Sequence, residues 1–173
     1  MKSYTIDNFL LEEEFKNIMD VVEGPDIDWH YSYSVADGSV EEDDMYFIHM
    51  LYMGLAEQPK DGKMPPPPKK GEFYHLFEPV FNKLPDFNIL LRAKLNLYGR
   101  TNELVHHVDH VDFKMEHKGA LFSLNTCNGG TVIGDEKFDS VANRILFFNP
   151  TKPHHSTSTT DVKRRLNLNI NYI

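Results

Sequence analysis

The strongest constraint on the fold is a strict alternation of apolar and polar residues near the end of the chain. It runs from Arg165 to Asn171 and reads Arg-Leu-Asn-Leu-Asn-Ile-Asn. Successive side chains of a β-strand point to opposite faces, so this pattern predicts a strand with one apolar and one polar face. A similar alternation extends from Ile89 to Tyr98. With Arg165 turned inward, the asparagines also point inward and suit the wall of a cavity that holds an anion.

Shorter segments complete the expected secondary structure. Strands are predicted at 29–35, 45–55, 119–125, 131–133 and 145–148, and amphipathic helical stripes run from Leu11 to Val22 and from Phe73 to Leu84. Asp7 or Asn8 is the predicted N-cap of the first helix, and Gly24 and Pro85 close the two stripes. Helices followed by six or more short strands predict one α+β domain over residues 1–173, built on a double-sheet barrel or jelly roll.

Composition narrows the class of protein. The chain of 173 residues has one cysteine, Cys127, and a formal net charge of −8. A single cysteine forms no internal disulfide and suits a reducing compartment. Because no apolar run approaches a membrane span of about 20 residues and the first residues lack an apolar leader stretch, we expect a cytoplasmic protein without a membrane partner. The acidic balance gives no support for nucleic-acid binding, which depends on Lys and Arg.

Histidine and aspartate spacing points to a metal site. His110-Val111-Asp112 would place a nitrogen and an oxygen on one face of an extended segment, and His154 could add a second imidazole. Two histidines and one carboxylate form the facial triad of non-haem Fe(II) proteins, which leaves open coordination positions. The residues alone leave His107 with Asp109 as a nearly equal alternative pair, and His155 as an alternative to His154.

A long polar segment interrupts the N-terminal half. It extends from Gln58 to Gly71 and contains Pro65-Pro66-Pro67-Pro68, which favours an extended conformation. Long loops without periodicity are commonly functional or disordered. We predict that this loop is a flap over a pocket covered by residues 1–88. The alternative is a proline-rich ligand for an interaction partner.

The second half of the chain resembles the iron(II)- and 2-oxoglutarate-dependent dioxygenases, in particular the small prolyl-4-hydroxylase-like members of phages and bacteria. The resemblance covers about half of the chain and rests on seven short motifs in order. They are Asn96-Leu97-Tyr98, His110-Val111-Asp112, Asn125 to Thr131, Asn143 to Phe148, His154, Ser156 to Asp161, and Arg165 to Tyr172.

The resemblance implies a specific fold and site. The implied core is a double-stranded β-helix of the jelly-roll, cupin-like type over residues 89–173, with N-terminal supporting helices. Family spacings from Tyr98 select His110 and Asp112, and the spacing to Asp161 selects His154. These three residues are the implied Fe(II) ligands and catalytic residues. Arg165, rather than Arg164, is the implied anchor for the C5 carboxylate of 2-oxoglutarate, with Tyr98 as a weaker contributor.

The implied activity is hydroxylation of a C–H bond, with Fe(II), 2-oxoglutarate and O2 as cofactors and cosubstrates. The acidic residue at Asp112 favours hydroxylation, since the related halogenases carry a small residue there. The primary substrate stays open among a peptide, an amino acid, a nucleobase and a small metabolite. Two other functions remain possible from the sequence. One is a cupin-like metal-binding protein without 2-oxoglutarate turnover, and the other is a partner-binding module that uses the proline-rich loop.

Overall fold

The protein is mostly antiparallel β-structure with few helices. The computed structural model describes residues 2–33, 46–54 and 67–173. The strands are β1 (Tyr4–Ile6), β2 (His30–Ser32), β3 (Tyr46–Met53), β4 (Lys69–Lys70), β5 (Leu90–Gly99), β6 (Lys118–Ser123), β7 (Gly130–Ile133), β8 (Glu136–Asp139), β9 (Arg144–Phe148), β10 (His154–Ser156) and β11 (Arg164–Tyr172). The helices are α1 (Glu12–Val22) and α2 (Glu78–Phe81), and a 3-10 turn spans Tyr74–Phe77.

The strands form one large and one small sheet. The large sheet has the order β1-β9-β6-β11-β5-β3-β2, with β4 paired to β3, and the small sheet has the order β10-β7-β8. At the centre of the large sheet, β11 pairs antiparallel with β5, so that Arg165 lies opposite Tyr98 and Asn171 lies opposite Arg92. The predicted two-sheet, α+β organisation is confirmed at this level. Strands β1, β4 and β8 were not predicted, and β4 lies within the segment that was predicted to be a loop.

The large sheet has one apolar face, which carries the main core. Leu166, Leu168 and Ile170 are buried there together with Ile18 and Val22 of α1. The alternation predicted for the last strand is therefore confirmed. Burying such side chains contributes about 1.5–3 kcal/mol each relative to exposure, so the pattern fixes the face on which the helices pack.

The alternation predicted for β5 is wrong at its first residues. A register shift opposite Asn171 and Tyr172 brings Leu90 into the core with Ala93 and Leu95, and Ile89 is exposed. A bulge inserts an extra residue into one strand and reverses the faces on either side of it. The interruption is confined to the strand end, so the remaining residues keep the predicted faces.

Helix α1 forms where its apolar stripe lies, but its predicted N-cap is wrong. Leu11, rather than Asp7 or Asn8, precedes the first turn, and its backbone N–H donates to the Glu14 carboxylate at 3.0 Å. Asp7 instead forms an ion pair with Arg144 of β9, with Nη2 and Oδ2 2.8 Å apart. Since β1 pairs with β9, this residue belongs to the sheet edge.

The second apolar stripe does not form one helix. The 3-10 turn of Tyr74–Phe77 leads into the single turn of α2, and Pro79 lies at the start of α2. Proline lacks a backbone N–H and fits the first turn of a helix better than its interior. Phe77, Val80 and Phe81 are nevertheless buried in the same core as α1.

Two N-terminal predictions are only partly covered by the structure. The strands predicted at 29–35 and 45–55 correspond to β2 and β3 within the described residues. Most of the predicted flap, from Gln58 to Gly71, lies outside them, as does the expectation that it covers a pocket. Within the described residues, every helix is too short or too polar to cross a membrane.

Candidate metal and anion site

A backbone bridge between two distant segments brings the candidate metal ligands together. His110 and His154 exchange backbone hydrogen bonds in both directions, at 2.9 and 3.0 Å. The potential ligand atoms of His110, Asp112 and His154 all lie within 4.8 Å of one another. A divalent ion at about 2.0–2.2 Å from each ligand fits such a cluster. The structure thus groups the three residues of the predicted triad.

The imidazoles of the triad present their Nε2 atoms to the cluster. The Nδ1 atoms of His154 and His110 lie 2.9 and 3.2 Å from the carbonyl oxygens of Lys152 and Val108. A carbonyl oxygen only accepts, so each Nδ1 carries a proton, and in the neutral tautomer this leaves the Nε2 lone pair to bind a metal. His154 Nε2 is buried without a hydrogen-bond partner. Burial lowers the pKa of His154, which favours the neutral form that binds metals.

The carboxylate of Asp112 is held on both oxygens. Arg92 Nη2 donates to Oδ1 at 2.6 Å, and Asn171 Nδ2 donates to Oδ2 at 2.8 Å. The Nε atom of Arg92 also donates to Asn171 Oδ1 at 3.1 Å, which closes a three-residue ring of hydrogen bonds. Burial alone would raise the pKa of Asp112, but Arg92, His154 and Asn171 outweigh it and lower the pKa to about 2. Asp112 is therefore an anion with a fixed orientation.

The alternative ligands have other contacts. Asp109 is exposed and pairs with Nδ1 of His155 at 2.7 Å, and Nε2 of that ring lies 3.0 Å from Nδ1 of His106. His107 is buried with Nδ1 2.8 Å from Ser156 Oγ, and its ring stacks on Tyr98. The described structure therefore places neither His107 with Asp109 nor His155 in the cluster.

Arg165 is a buried cation at the other end of the last strand. Its Nη1 donates to the Thr157 carbonyl at 3.1 Å and its Nη2 donates to Thr131 Oγ1 at 3.0 Å. Its Nε has no partner, and among the described residues no carboxylate pairs with it. Burial lowers the pKa of Arg165, although a guanidinium stays protonated in proteins. Buried charges in proteins are normally paired, and the described residues supply no carboxylate for this one.

The neighbouring Arg164 differs from Arg165 in its exposure and in its ion pairing. Arg164 faces away from this position and pairs with Glu23 at 2.7 Å near the surface. The turn before β7 also serves Arg165, since a Cβ atom on Gly129 would lie 2.9 Å from Arg165 Cδ and 2.2 Å from the Ser158 carbonyl oxygen. Only glycine at position 129 leaves room for the Arg165 side chain and the Ser158 backbone.

Tyr98 lies opposite Arg165 and completes this end of the site. The Arg165 guanidinium carbon is 5.3 Å from the centre of the Tyr98 ring, which stacks between Tyr46 and His107. Burial raises the pKa of Tyr98 to about 12, and its hydroxyl hydrogen-bonds the Ser156 side chain. Tyr98 is thus a neutral donor or acceptor beside the buried cation.

A cavity of about 590 Å³ extends from the His-Asp-His cluster to Tyr98 and Thr131, the two cavity residues that contact the buried Arg165. Its walls come from the polar face of β5 and β11, from β7 and β10 of the small sheet, and from residues 108–112. Arg92, Lys94 and Tyr46 line the cavity but were not predicted as site residues. Arg92 and Lys94 precede Tyr98 by even numbers of residues, so period two could have placed them on its face.

Comparisons with known proteins agree on the fold. No protein-family model and no curated protein sequence matches the chain. Among solved structures, an oxidoreductase of the 2OG-Fe(II) oxygenase family from Burkholderia pseudomallei matches with a TM-score of 0.66 at 10% identity, over 98% of this chain and 84% of that one. HygX from Streptomyces hygroscopicus, solved with nickel and 2-oxoglutarate bound, matches with a TM-score of 0.60 at 11% identity, over 98% and 82%.

A third match binds a peptide. It is a prolyl hydroxylase from Trichoplax adhaerens, in complex with a fragment of the hypoxia inducible factor oxygen degradation domain. The TM-score is 0.57 at 14% identity, over 99% of this chain and 83% of that one. The chain shares the fold of these oxygenases. At such low identity the agreement concerns backbone architecture alone.

Proposed function

We propose that the protein is an Fe(II)- and 2-oxoglutarate-dependent oxygenase that hydroxylates a C–H bond of its primary substrate. In this proposal residues 1–173 form one oxygenase domain, and the two sheets with the paired segment at 105–112 form a double-stranded β-helix. The observation that carries the proposal is a His-Asp-His cluster that lines one cavity, together with a buried Arg165 without a carboxylate partner that lies directly behind the cavity residues Tyr98 and Thr131.

His110, Asp112 and His154 would hold Fe(II) on one face. The fit rests on the unpaired Nε2 of His154 and on the fixed carboxylate of Asp112. A neutral imidazole pair with one carboxylate suits Fe(II) and leaves positions open for further ligands. Arg92 and Asn171 would not bind the metal themselves, but they orient the Asp112 carboxylate that would bind it.

Arg165 would bind the C5 carboxylate of 2-oxoglutarate. The guanidinium is fixed by Thr157 and Thr131 and has an unpaired Nε. Its planar donors match a carboxylate, and Tyr98 lies across the same position. When bound, Fe(II) and 2-oxoglutarate would supply oxidation of an unactivated C–H bond by O2, with release of succinate and CO2. The chain itself binds and orients these groups and excludes water.

The two rival functions are not favoured. A cupin-like metal protein without 2-oxoglutarate has no need for the buried cation of Arg165. A partner-binding module that uses the proline-rich loop has no need for the His-Asp-His cluster. Two of the matched structures add support, since one was solved with nickel and 2-oxoglutarate bound and another in complex with a peptide fragment.

The test is succinate formation from 2-oxoglutarate by the full chain with Fe(II) under air, with and without a substrate panel. Asp112→Ala should abolish it, because the only carboxylate of the cluster is lost, and Asp109→Ala is the matched control that should keep it. The opposite ranking would show that the wrong pair is assigned. Fe(II) binding without any succinate formation would favour the cupin-like function.

A further inference from the structure

A lysine that the proposed chemistry does not use faces the same cavity. Lys94 lies in β5 between Arg92 and Asn96, and it lines the cavity with them. Its Nζ donates to the Tyr46 hydroxyl at 3.0 Å and lies 5.2 Å from the centre of that ring. The Tyr46 ring in turn stacks on Tyr98. These contacts fix the ammonium group in the cavity wall.

Within the described residues, no acidic side chain forms an ion pair with Lys94. The positions beside it in the sheet are Asn169 of β11 and Met50 of β3, both uncharged. The described carboxylates that line the cavity are committed elsewhere, because Asp112 pairs with Arg92 and Asp109 pairs with His155. Burial, with a contribution from Arg92, lowers the pKa of Lys94 to about 7 and outweighs the opposite effect of the Asp112 charge. This is the behaviour of a cation that lacks a counter-charge.

An unpaired donor lies on the same wall. Asn167 of β11 is buried, its Nδ2 has no hydrogen-bond partner, and it stands opposite Asn96, two residues along from Lys94. Diagonal neighbours in a sheet are about 7–8 Å apart, within reach of long side chains. A carboxylate has two oxygens and can accept from two donors at once. The ammonium and this amide together match such a group.

The position differs from that of Arg165. Lys94 and Tyr98 are four residues apart in one strand, which corresponds to about 13 Å along β5. Arg165 lies opposite Tyr98, at the far end of this stretch. The cavity volume of about 590 Å³ falls within the range for sites that hold drug-sized ligands. A second ligand therefore has room beside a five-carbon cosubstrate.

We propose that Lys94 binds a carboxylate of the primary substrate, so that the enzyme acts on carboxylic acids rather than on neutral or cationic molecules. This inference rests on the proposed function, because it presumes that 2-oxoglutarate takes Arg165. Lys94 is then a substrate-binding residue, and Tyr46 positions its ammonium group. The other source of the same chemistry is the C1 carboxylate of 2-oxoglutarate, and the experiment separates the two.

The experiment follows the lysine ε-carbon resonances of the 13C-labelled full chain by NMR, with Zn(II) as a diamagnetic metal. Lys94→Met assigns the Lys94 signal, and Lys118→Met assigns a control lysine of the same sheet that pairs with Asp86 outside the cavity. With Zn(II) and saturating 2-oxoglutarate present, acetate is titrated against chloride at constant ionic strength. A single charge-assisted contact predicts a dissociation constant on the order of 10–100 mM.

The proposal expects a saturable shift of the Lys94 signal with acetate, a much smaller shift with chloride, and no shift of Lys118. Absence of the acetate shift overturns it. If 2-oxoglutarate alone shifts the signal fully and acetate adds nothing, Lys94 binds the cosubstrate and the substrate assignment is wrong. If 2-oxoglutarate fails to bind by calorimetry, the proposed function fails, and the acetate titration of the metal-free protein still tests Lys94 by itself.

Discussion

Replacing Arg92 by methionine should destabilise the metal-free protein and increase the stabilisation that a metal provides. The side chains of Arg92 and Asp112 are 16% and 4% exposed, and their closest atoms are 2.6 Å apart. Removing one partner of a buried ion pair costs about 3–5 kcal/mol because the other charge stays buried. Asn171 still donates to Asp112 in the variant, so we expect the lower end, about 3 kcal/mol.

That loss converts into a measurable change of melting temperature. For a chain of this size each kcal/mol changes the Tm by about 2–4 °C, so the metal-free variant should melt about 6–12 °C below wild type. A divalent ion on Asp112 supplies the missing counter-charge, and its repulsion by Arg92 is gone. Mn(II) should therefore bind the variant at least as tightly as wild type and should raise its Tm by more.

Thermal unfolding followed by circular dichroism, first metal-free and then with increasing Mn(II), measures both effects. Arg144→Met is the matched control, because Arg144 forms its ion pair with the exposed Asp7, and such pairs contribute about 0–1 kcal/mol. An unchanged Tm in the metal-free Arg92 variant would refute the energetic argument. Weaker Mn(II) binding would show that Arg92 acts mainly by orienting the carboxylate and not by neutralising it.

Three further outcomes follow from the same contacts. Arg165→Ala should raise the Kd of 2-oxoglutarate, measured by calorimetry, at least 30-fold, because a lost charged contact in a desolvated site costs about 2–5 kcal/mol. Arg164→Ala is the control and should bind 2-oxoglutarate like wild type. The pKa of Asp112 is lowered in the folded state, so its contribution to the free energy of unfolding is present above about pH 4 and is lost as the pH falls towards 2. Because Arg92 helps to lower this pKa, acid unfolding of Arg92→Met should begin at a higher pH than that of wild type. The pKa of Lys94 is lowered to about 7 in the folded state. Between pH 7 and 10 the unfolded chain therefore binds more protons than the folded chain, so the free energy of unfolding should rise with pH over this range. Denaturant unfolding should show this rise in wild type relative to Lys94→Met.

The sequence predicted local features well where a single strand decides them. Arg165 and the asparagines after it were placed on one face by period two alone, and the leucines between them are buried as expected. The predicted N-cap of α1 was wrong because Asp7 forms an ion pair with Arg144, which lies in a strand far along the chain. Pro79 likewise divides a stripe that reads as one helix. Local sequence patterns thus mispredict a helix boundary where a residue distant in sequence, such as Arg144, or the missing N–H of a proline determines it.

The site required contacts that no local pattern contains. Residues alone could not choose between the two overlapping His-x-Asp pairs. In the structure His110 stands opposite His154 in a backbone bridge, while Asp109 turns outward to His155. The choice thus depends on the register between segments more than 40 residues apart in sequence. The ring of Arg92, Asn171 and Asp112 depends in the same way on the pairing of β5 with β11.

The last strand shows why fold and site are difficult to change separately. One face of β11 buries Leu166, Leu168 and Ile170 in the core, and the other carries Arg165, which contacts Thr131, and Asn171, which contacts Asp112. Because the side-chain period of a strand is two, a slip of one residue would exchange the faces. Such a slip would bury the polar row in the core and remove both the proposed anion anchor and the brace on Asp112. Selection for a stable core therefore also maintains the spacing between the two ends of the site.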